Sequence, residues 1–313
     1  MKLMFILSKE NIKLASLEVL SLVKVKEYNL NKNILVLDSK FKDYSRLAFT
    51  RKIVKFLFSC HIDEIEDYLN KQDWQKYCSS SFALRASGFD EKKLAQFVWN
   101  NLKDPKVDLV NPGMQVEIFK LDNIVYCGIL LHENKEKFSK RKPFSRPGFH
   151  PSGLDPKLAR ALVNLSGIQL GSTIYDPFCG TGGILIEAAL MGLKIIGSDL
   201  DKQMVNKCIA NLNHYNIKNY KIFQKNALEI EKFYDAIVTD PPYGRSSSTF
   251  SIDVEELYSK FLKKIELIIK PDQRMIFVTP KTKNFSTNLK IIDTIDYYVH
   301  HILTRRIYIF EKN

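Results

Sequence analysis

The sequence has few cysteines and does not arrange them in pairs. Its five cysteines lie far apart along 313 residues, with no CxxC pair and no cluster of cysteine and histidine. This excludes the disulfide framework of small secreted domains and the ligand spacing of structural zinc sites. We therefore expect reduced thiols and no bound metal.

Long apolar segments and internal repeats are also absent. No apolar run approaches the roughly 20 residues that a membrane-spanning helix needs. The apolar start at 1–7 is too short for a signal peptide and passes directly into charged residues. We expect a cytoplasmic protein that does not act at a membrane.

Acidic residues are scarce relative to basic ones. Lysine and arginine number 47 against 35 aspartate and glutamate residues, a formal net charge of +12. Such an excess favours a polyanionic partner, most often nucleic acid, because basic side chains displace condensed counterions from phosphates. From charge alone, a merely soluble basic protein is an equally good interpretation.

The chain is long enough for two or three domains, and its first part predicts small α/β units. Ser8 is the candidate cap of the first helix, and Asp122 and Asn123 give a hairpin signal. The predicted elements, in chain order, are a strand at 2–7, a helix at 12–23, a strand at 33–37, a helix at Leu47–Phe58, a strand at 81–87, a helix at 91–102, and strands at 114–121 and 124–131.

A basic, helix-breaking segment follows at 133–151. It contains six basic residues, two acidic ones, three prolines and a glycine, which predicts a linker. Charged linkers are usually only solvated, and we weigh that interpretation equally with contact to an RNA backbone. The candidate RNA contacts are Lys140, Arg141, Lys142 and Arg146, joined by Arg245 further along the chain.

Beyond this segment, strands and helices alternate, which predicts a doubly wound parallel sheet with ligands at the carboxyl ends of its strands. The predicted elements, in chain order, are a helix at 155–165, a strand at 172–178, a helix at 184–191, a strand at 193–199, a helix at 202–215, strands at 220–226 and 235–240, a helix near 254–269, a strand at 274–280 and a final pair of strands through Phe310.

A glycine-rich turn at 176–183 follows the first of these strands. Gly180 and Gly182 permit a tight turn and the close approach of a ligand. Leu185 stands where a dinucleotide site needs its third glycine, and Asp176 at the entrance of the turn would repel a pyrophosphate. S-adenosyl-L-methionine has no phosphate, and Asp176 would attract its ammonium and sulfonium groups. The turn therefore favours S-adenosyl-L-methionine as cofactor.

Two later strand ends supply further candidate contacts for this cofactor. Asp199 stands 23 residues after Asp176, where a carboxylate can accept hydrogen bonds from both ribose hydroxyls. The alternative is an aspartate that caps the next helix, and we assign that cap to Asp201. Asn226 ends the third strand, where its amide would meet the adenine edge.

The candidate catalytic motif is Asp-Pro-Pro-Tyr at 240–243, after the fourth strand. A base amine is a poor nucleophile because its lone pair is delocalised into the ring. The Asp240 carboxylate and the Pro241 carbonyl would accept its hydrogens and draw the nitrogen toward tetrahedral geometry. Tyr243 offers a flat face for the extruded base, worth about 1–3 kcal/mol of stacking. An ordinary loop is the alternative, which the glycine turn makes much weaker.

The two motifs resemble those of a known family. DPFCGTGG and DPPYG, within 171–245, resemble the Rossmann-type amino-methyltransferases. The stretch at 146–167 and the ending HHILTRRIYIF are similar to archaeal tRNA guanosine-N2 methyltransferases that act at position 10 of tRNA. Residues from about 50 to 135 resemble a THUMP domain, which in such enzymes recognises the acceptor end of tRNA.

This resemblance implies an α/β protein with a Rossmann-type class I methyltransferase domain, built on a mostly parallel seven-stranded sheet and preceded by ferredoxin-like and THUMP units. The implied partner is tRNA, while the need for an auxiliary subunit and the number of methyl groups stay open. The implied segments are a ferredoxin-like unit at 1–50, a THUMP domain at 51–135, the basic linker at 136–150 and the methyltransferase domain at 151–313.

The resemblance also implies residue roles. Asp240, Pro241 and Tyr243 would act on guanine N2, and His150 would close over the methionine part of the cofactor. The other implied cofactor contacts are Asp176, Phe178, Gly180, Thr181, Gly182, Asp199 and Asn226.

Three other functions fit parts of the pattern. An adenine-N6 methyltransferase of RNA or DNA could use the same motif, because it presents the same kind of amine. The basic charge disfavours a protein-glutamine methyltransferase. The intact Asp240 and glycine turn disfavour a THUMP protein that only binds RNA.

Overall fold

A computed structural model describes residues 1–244 and 253–313, and the chain divides into two compact units. Unit 1 comprises Met1–Ile12, Val25–Ser45 and Thr50–Asn134, and unit 2 comprises Lys13–Lys24, Arg46–Phe49 and Lys135–Asn313. The helices of the described ranges are α1 (Ile12–Val23), α2 (Ile65–Lys71), α3 (Glu91–Asn100), α4 (Pro156–Leu165), α5 (Gly183–Leu190), α6 (Lys202–His214) and α7 (Val254–Ile268). Within those ranges, no helix has the length and apolar character needed to cross a membrane.

Unit 1 contains one mixed sheet. Its strands are β1 (Lys2–Leu7), β2 (Tyr28–Asn31), β3 (Ile34–Asp38), β4 (Thr50–His61), β5 (Phe82–Ala86), β6 (Met114–Leu121) and β7 (Ile124–Glu133). Their order in the sheet is β2-β3-β1-β4-β7-β6-β5, and β5 and β6 alone run parallel among these described neighbours. A single sheet thus runs through the segments 1–50 and 51–135.

The predicted helix at Leu47–Phe58 is wrong, because this stretch forms most of β4 in the middle of the sheet. Two register shifts against β7, between Ile53 and Val54 and between Phe56 and Phe58, interrupt the alternation of inward and outward side chains. Such bulges remove the period of two that identifies a strand in a sequence. Without that period, the spacing of the apolar residues in this stretch resembles the spacing in a helix.

Three smaller differences concern element ends and short elements. The short edge strand β2 and the helix α2 were not predicted, and α1 begins at Ile12, four residues beyond the expected cap Ser8. The strands at 2–7, 81–87, 114–121 and 124–131 are confirmed to within one or two residues.

Unit 2 contains the doubly wound sheet that the sequence predicts. Its strands are β8 (Thr173–Asp176), β9 (Lys194–Asp199), β10 (Tyr220–Gln224), β11 (Ala236–Thr239), β12 (Arg274–Pro280), β13 (Lys290–His300) and β14 (Leu303–Glu311). The order is β10-β9-β8-β11-β12-β14-β13, with β8 to β12 parallel and β14 antiparallel to both of its neighbours. The Rossmann-type class I arrangement is confirmed, and β11 lies beside β8 as expected.

The helix α7 packs on this sheet and follows the candidate catalytic motif in the chain. Asp253 caps it by accepting hydrogen bonds from the backbone N–H groups of Glu255 and Glu256. Its buried side chains, including Tyr258 and Phe261, join the core beside β11 and β12. Full burial of each such side chain stabilises the fold by about 1.5–3 kcal/mol. The α7 helix therefore provides a rigid wall behind the motif at 240–243.

Candidate active site

The predicted motifs meet at the carboxyl edge of the unit 2 sheet. Asp176 ends β8, Asp199 ends β9, and Asp240 follows β11. A cavity of about 350 Å³ opens at this edge, within the range of about 300–1,000 Å³ of small-molecule sites. Among the predicted residues, its lining includes His150, Asp176, Phe178, Gly180, Thr181, Asp199, Asn226 and Asp240.

The two glycines of the turn have different surroundings. Gly180 has a φ of +48°, and a Cβ added there would meet nothing within 4 Å. Its N–H donates to the Asp199 carboxylate at 2.9 Å, and it lines the cavity. Gly182 has a φ of +83°, and a Cβ there would lie 2.7 Å from the Cys208 sulfur. Gly182 therefore permits the turn and the packing of α5 on α6, whereas Gly180 borders the cavity.

Asp176 is the most deeply buried carboxyl of the cavity, with 2% of the residue exposed. It accepts hydrogen bonds from the Thr239 hydroxyl at 2.7 Å and the Phe178 N–H at 3.1 Å. Burial raises the pKa of Asp176 to about 7, against the opposing effect of these two hydrogen bonds. A cationic ligand would restore its charge, so this carboxyl is suited to an ammonium or a sulfonium.

The next two strand ends hold acceptors that are already partly engaged. Asp199 accepts from the N–H groups of Gly180 and Asp201, while Asp201 caps α6 through the Gln203 N–H, as predicted. The Asn226 oxygen accepts from the Leu228 N–H at 3.0 Å and caps a short 3-10 turn. For the adenine contact predicted for Asn226, its amide nitrogen can donate, and its oxygen keeps one further lone pair.

The candidate catalytic motif forms a hydrogen-bonded chain with Arg305 of β14. The Tyr243 hydroxyl donates to Asp240 Oδ1, and Arg305 Nε donates to the Tyr243 hydroxyl at 2.9 Å. Arg305 Nε also lies 3.9 Å from Asp240 Oδ2, and its guanidinium lies 5.9 Å from the centre of the Tyr243 ring. Burial raises the pKa of Asp240, and the charge of Arg305 opposes that rise.

Arg305 was not predicted as a site residue, although the sequence contained a signal. In β14 it shares its strand face with Ile307 and Ile309, and all three residues are buried. An arginine on the same strand face as buried apolar residues points into the protein, so it rarely serves solubility.

The two proline carbonyls of the motif also differ. Pro242 lines the cavity, and its carbonyl accepts a hydrogen bond from the Tyr258 hydroxyl of α7 at 2.8 Å. Pro241 is buried, and no donor within 1–244 and 253–313 bonds to its carbonyl. The lining of the cavity includes Pro242 but not Pro241, and the role of the Pro241 carbonyl toward the substrate amine stays a prediction.

The predicted RNA contacts divide into inward and outward groups. Arg141 pairs with the buried Glu187 at 2.7 Å, and Arg146, 4% exposed, donates to the Arg141 carbonyl. The structure does not support these two arginines as RNA contacts, because they are committed to the interior of unit 2. Lys140 and Lys142 are exposed and stay candidates, and Arg245 lies outside the described residues.

The described side chains contain no cluster of three or more histidine, cysteine, aspartate or glutamate residues that could hold a metal ion. All five cysteines are free thiols.

Two family models match the chain. One, described as an RMKL-like methyltransferase domain, matches residues 143–299. The other, described as a DNA methylase, matches residues 8–211 and ends before β11 and the motif at 240–243.

Curated relatives match over the full length. A tRNA (guanine(10)-N2)-dimethyltransferase of Methanothermobacter thermautotrophicus is 32% identical, covering 100% of both chains. An enzyme of the same name from Methanocaldococcus jannaschii is 30% identical, covering 98% of this chain and 99% of its own. A tRNA (guanine(10)-N(2))-methyltransferase of Saccharomyces cerevisiae is 27% identical over 83% of this chain and 61% of its own.

Among solved structures, TrmN from Thermus thermophilus has a TM-score of 0.53 at 18% identity, covering 100% of both chains. At this identity the likeness concerns the fold alone.

Proposed function

We propose, because this chain belongs to the family of tRNA (guanine(10)-N2)-dimethyltransferases, that it transfers methyl groups from S-adenosyl-L-methionine to the exocyclic N2 of a guanosine in tRNA, at position 10. The observation that carries the chemical part is the Asp240 carboxylate in the same cavity as Asp176 and Asp199. The assignment of tRNA as the substrate, and of position 10 as the site of methylation, rests on the names of the relatives.

The residues of the cavity fit S-adenosyl-L-methionine. The Asp176 carboxyl suits the ammonium group, Asp199 the ribose, and the open space at Gly180 allows a ligand to approach the backbone. His150, Phe178, Thr181 and Asn226 complete the proposed contacts. When bound, this cofactor supplies an electrophilic methyl group on a sulfonium.

The motif at 240–243 prepares the amine of the base. Asp240 and the Pro241 carbonyl accept its two hydrogens, which draws the nitrogen toward tetrahedral geometry and frees its lone pair. The carbonyl of Pro242 is held by Tyr258, and the fixed φ of both prolines keeps the Pro241 carbonyl rigid. The Tyr243 ring is the stacking face for the extruded base. Asp240 also takes the proton that the amine releases.

The test is methyl transfer to unmodified tRNA from labelled S-adenosyl-L-methionine, followed by nucleoside analysis and mapping of the position. We expect N2-methylguanosine first and N2,N2-dimethylguanosine later, both at position 10, since the archaeal relatives are named dimethyltransferases. Label in adenosine, or in DNA alone, would overturn the assignment and favour the adenine-N6 alternative.

We also propose that the N-terminal part of the chain recognises the tRNA, with a ferredoxin-like unit at 1–50 and a THUMP domain at 51–135. The reaction would then take place in the cytoplasm. The resemblance of residues from about 50 to 135 to a THUMP domain and the net charge of +12 support the proposed recognition of tRNA. The methyltransferase domain is proposed at 151–313, preceded by the basic segment at 136–150, which packs within unit 2.

Two lysines of that basic segment are the proposed contacts with the phosphate backbone. Charge reversal at Lys140 and Lys142 should weaken tRNA binding and reduce the slope of log affinity against log salt by about 1–2, since each phosphate contact contributes roughly 0.7–0.9. The measurement is tRNA affinity at several salt concentrations.

The matched control reverses Lys263 and Lys264, an exposed adjacent pair on α7. The control removes the same charge from another surface. Equal losses in the two double variants would mean that only net charge matters, and the lysines of the basic segment would lose their assigned role.

A further inference from the structure

We infer that Arg305 is a positioning residue of the methyl-transfer reaction, which directs the Tyr243 hydroxyl onto Asp240 Oδ1, leaves Oδ2 for the base amine, and places a positive charge beside the carboxylate. The inference rests on the proposed function and extends its machinery to a residue outside the motif at 240–243.

The fold fixes the backbone of Arg305 from both sides. It lies on β14 opposite Pro280 of β12 and Tyr297 of β13, so both neighbouring strands hold its backbone. The other neighbour of β12 is β11, which ends one residue before Asp240. With 9% of the residue exposed, Arg305 has little freedom to turn away from the motif.

The hydrogens that Arg305 and Tyr243 can donate set the direction of the hydrogen-bonded chain. An arginine side chain can only donate, and a tyrosine hydroxyl has a single hydrogen. Because Arg305 Nε donates to the Tyr243 oxygen, the Tyr243 hydrogen has to go to an acceptor, and Asp240 Oδ1 provides it. Arg305 thereby fixes both the rotation of the hydroxyl and the plane of the ring on which the base stacks.

The same contacts divide the two oxygens of Asp240. Oδ1 is occupied by Tyr243, whereas Oδ2 lies 3.9 Å from Arg305 Nε, beyond hydrogen-bond distance. Oδ2 is therefore the oxygen that accepts the hydrogen of the substrate amine. The nearby positive charge stabilises the ionised form without blocking this oxygen.

The charges around Asp240 explain why a cation is needed. Asp176 on β8 is a like charge that interacts with Asp240, and Tyr258 on α7 and Tyr243 in the motif are neutral phenols at neutral pH. Burial favours the protonated form of Asp240, and Arg305 faces it as the opposing charge. In a protonated Asp240 one oxygen would become a donor, and the other would be a weaker acceptor of the amine hydrogen than a carboxylate oxygen.

The first test compares pH–kcat profiles of Arg305→Gln and Arg305→Lys with wild type on the same tRNA. In Arg305→Gln we expect the acidic limb to move up by about one to three pH units, since an opposite charge at this distance lowers a carboxyl pKa by that much. At neutral pH, kcat should fall about 10–100-fold, with KM for the cofactor within about twofold. Arg305→Lys should keep the acidic limb near wild type but lower kcat, because lysine keeps the charge and loses the fixed Nε geometry.

The matched control is Arg306→Gln, at the adjacent position of β14. Arg306 pairs with Asp296 at 2.7 Å and is half-buried on the other face of the strand. This variant loses the same charge and should keep the acidic limb of wild type. The inference is overturned if the acidic limb of the pH–kcat profile stays in place in Arg305→Gln. It is also overturned if the acidic limb moves by the same amount in Arg306→Gln.

A second measurement separates this inference from the proposed function. The carboxyl ¹³C resonance of Asp240, assigned by its loss in Asp240→Asn, can be titrated without tRNA. Its midpoint should rise in Arg305→Gln relative to wild type and to Arg306→Gln. An unmoved midpoint in an enzyme that methylates guanosine overturns the inference alone, whereas a raised midpoint in a protein that methylates no guanosine overturns the proposed function alone.

Discussion

Asparagine in place of Asp240 should lower kcat by about 10²–10⁴-fold, the range that a positioned acid or base contributes. Asparagine has the same size and keeps one oxygen acceptor, but it has no charge and adds an N–H₂ donor. That donor would face either the substrate amine or the Tyr243 hydroxyl, both of which need an acceptor. The loss should therefore lie in the chemical step.

The measurement is single-turnover methyl transfer, with binding of tRNA and of S-adenosylhomocysteine measured separately. Both affinities should stay within about threefold of wild type, because phosphate contacts dominate the affinity for tRNA and Asp176 and Asp199 are the proposed anchors of the cofactor. Asp235→Asn is the control: this exposed carboxylate lies one residue before β11, at the opposite end of that strand, and should change kcat by no more than about twofold. Turnover near wild type in Asp240→Asn would remove Asp240 from the reaction.

The sequence predicts unit 2 well because each of its parallel strands ends in a residue with its own signal. Apolar strands followed by Asp176, Asp199 and Asp240 locate the carboxyl edge by their local pattern alone. Parallel pairing of β8 with β9 and β11 then brings those ends together. The alternation of strands and helices therefore predicts a doubly wound sheet. That sheet topology in turn predicts a ligand cavity at the carboxyl ends of the strands.

The sequence fails where the deciding contact is distant or the period is broken. The strand β4 was predicted as a helix because bulges interrupt its alternation. Arg141 was predicted as an RNA contact because its partner Glu187 lies 46 residues later, inside an apolar helix. Arg305 reaches Tyr243 from 62 residues away through antiparallel pairing. None of these partners can be recognised from local composition.

The remaining large effect concerns Asp176 and the pH dependence of cofactor binding. Its pKa of about 7 in the ligand-free protein means that a lower pH neutralises the carboxylate that a cationic ligand needs. The affinity should therefore fall as pH falls through about 7, by about tenfold between pH 7.5 and pH 6. At a higher, alkaline pH it should fall again, once the α-amino group of the ligand loses its proton.

Calorimetric titration with S-adenosylhomocysteine, which keeps the amino acid part of the cofactor, measures this profile. Asp176→Asn should weaken binding by about 10–100-fold at pH 7.5, the worth of a hydrogen bond to a charged group, and abolish the decline toward pH 6. Thr239→Val removes a hydrogen bond that lowers the pKa of Asp176, so its acidic decline should begin at a higher pH. If Asp176→Asn kept the wild-type decline, the titrating group would be Asp199 or Asp240, whose pKa values burial also raises. The three carboxyls at this edge are thus distinguishable by which substitution flattens the profile, and only Asp176 should flatten it completely.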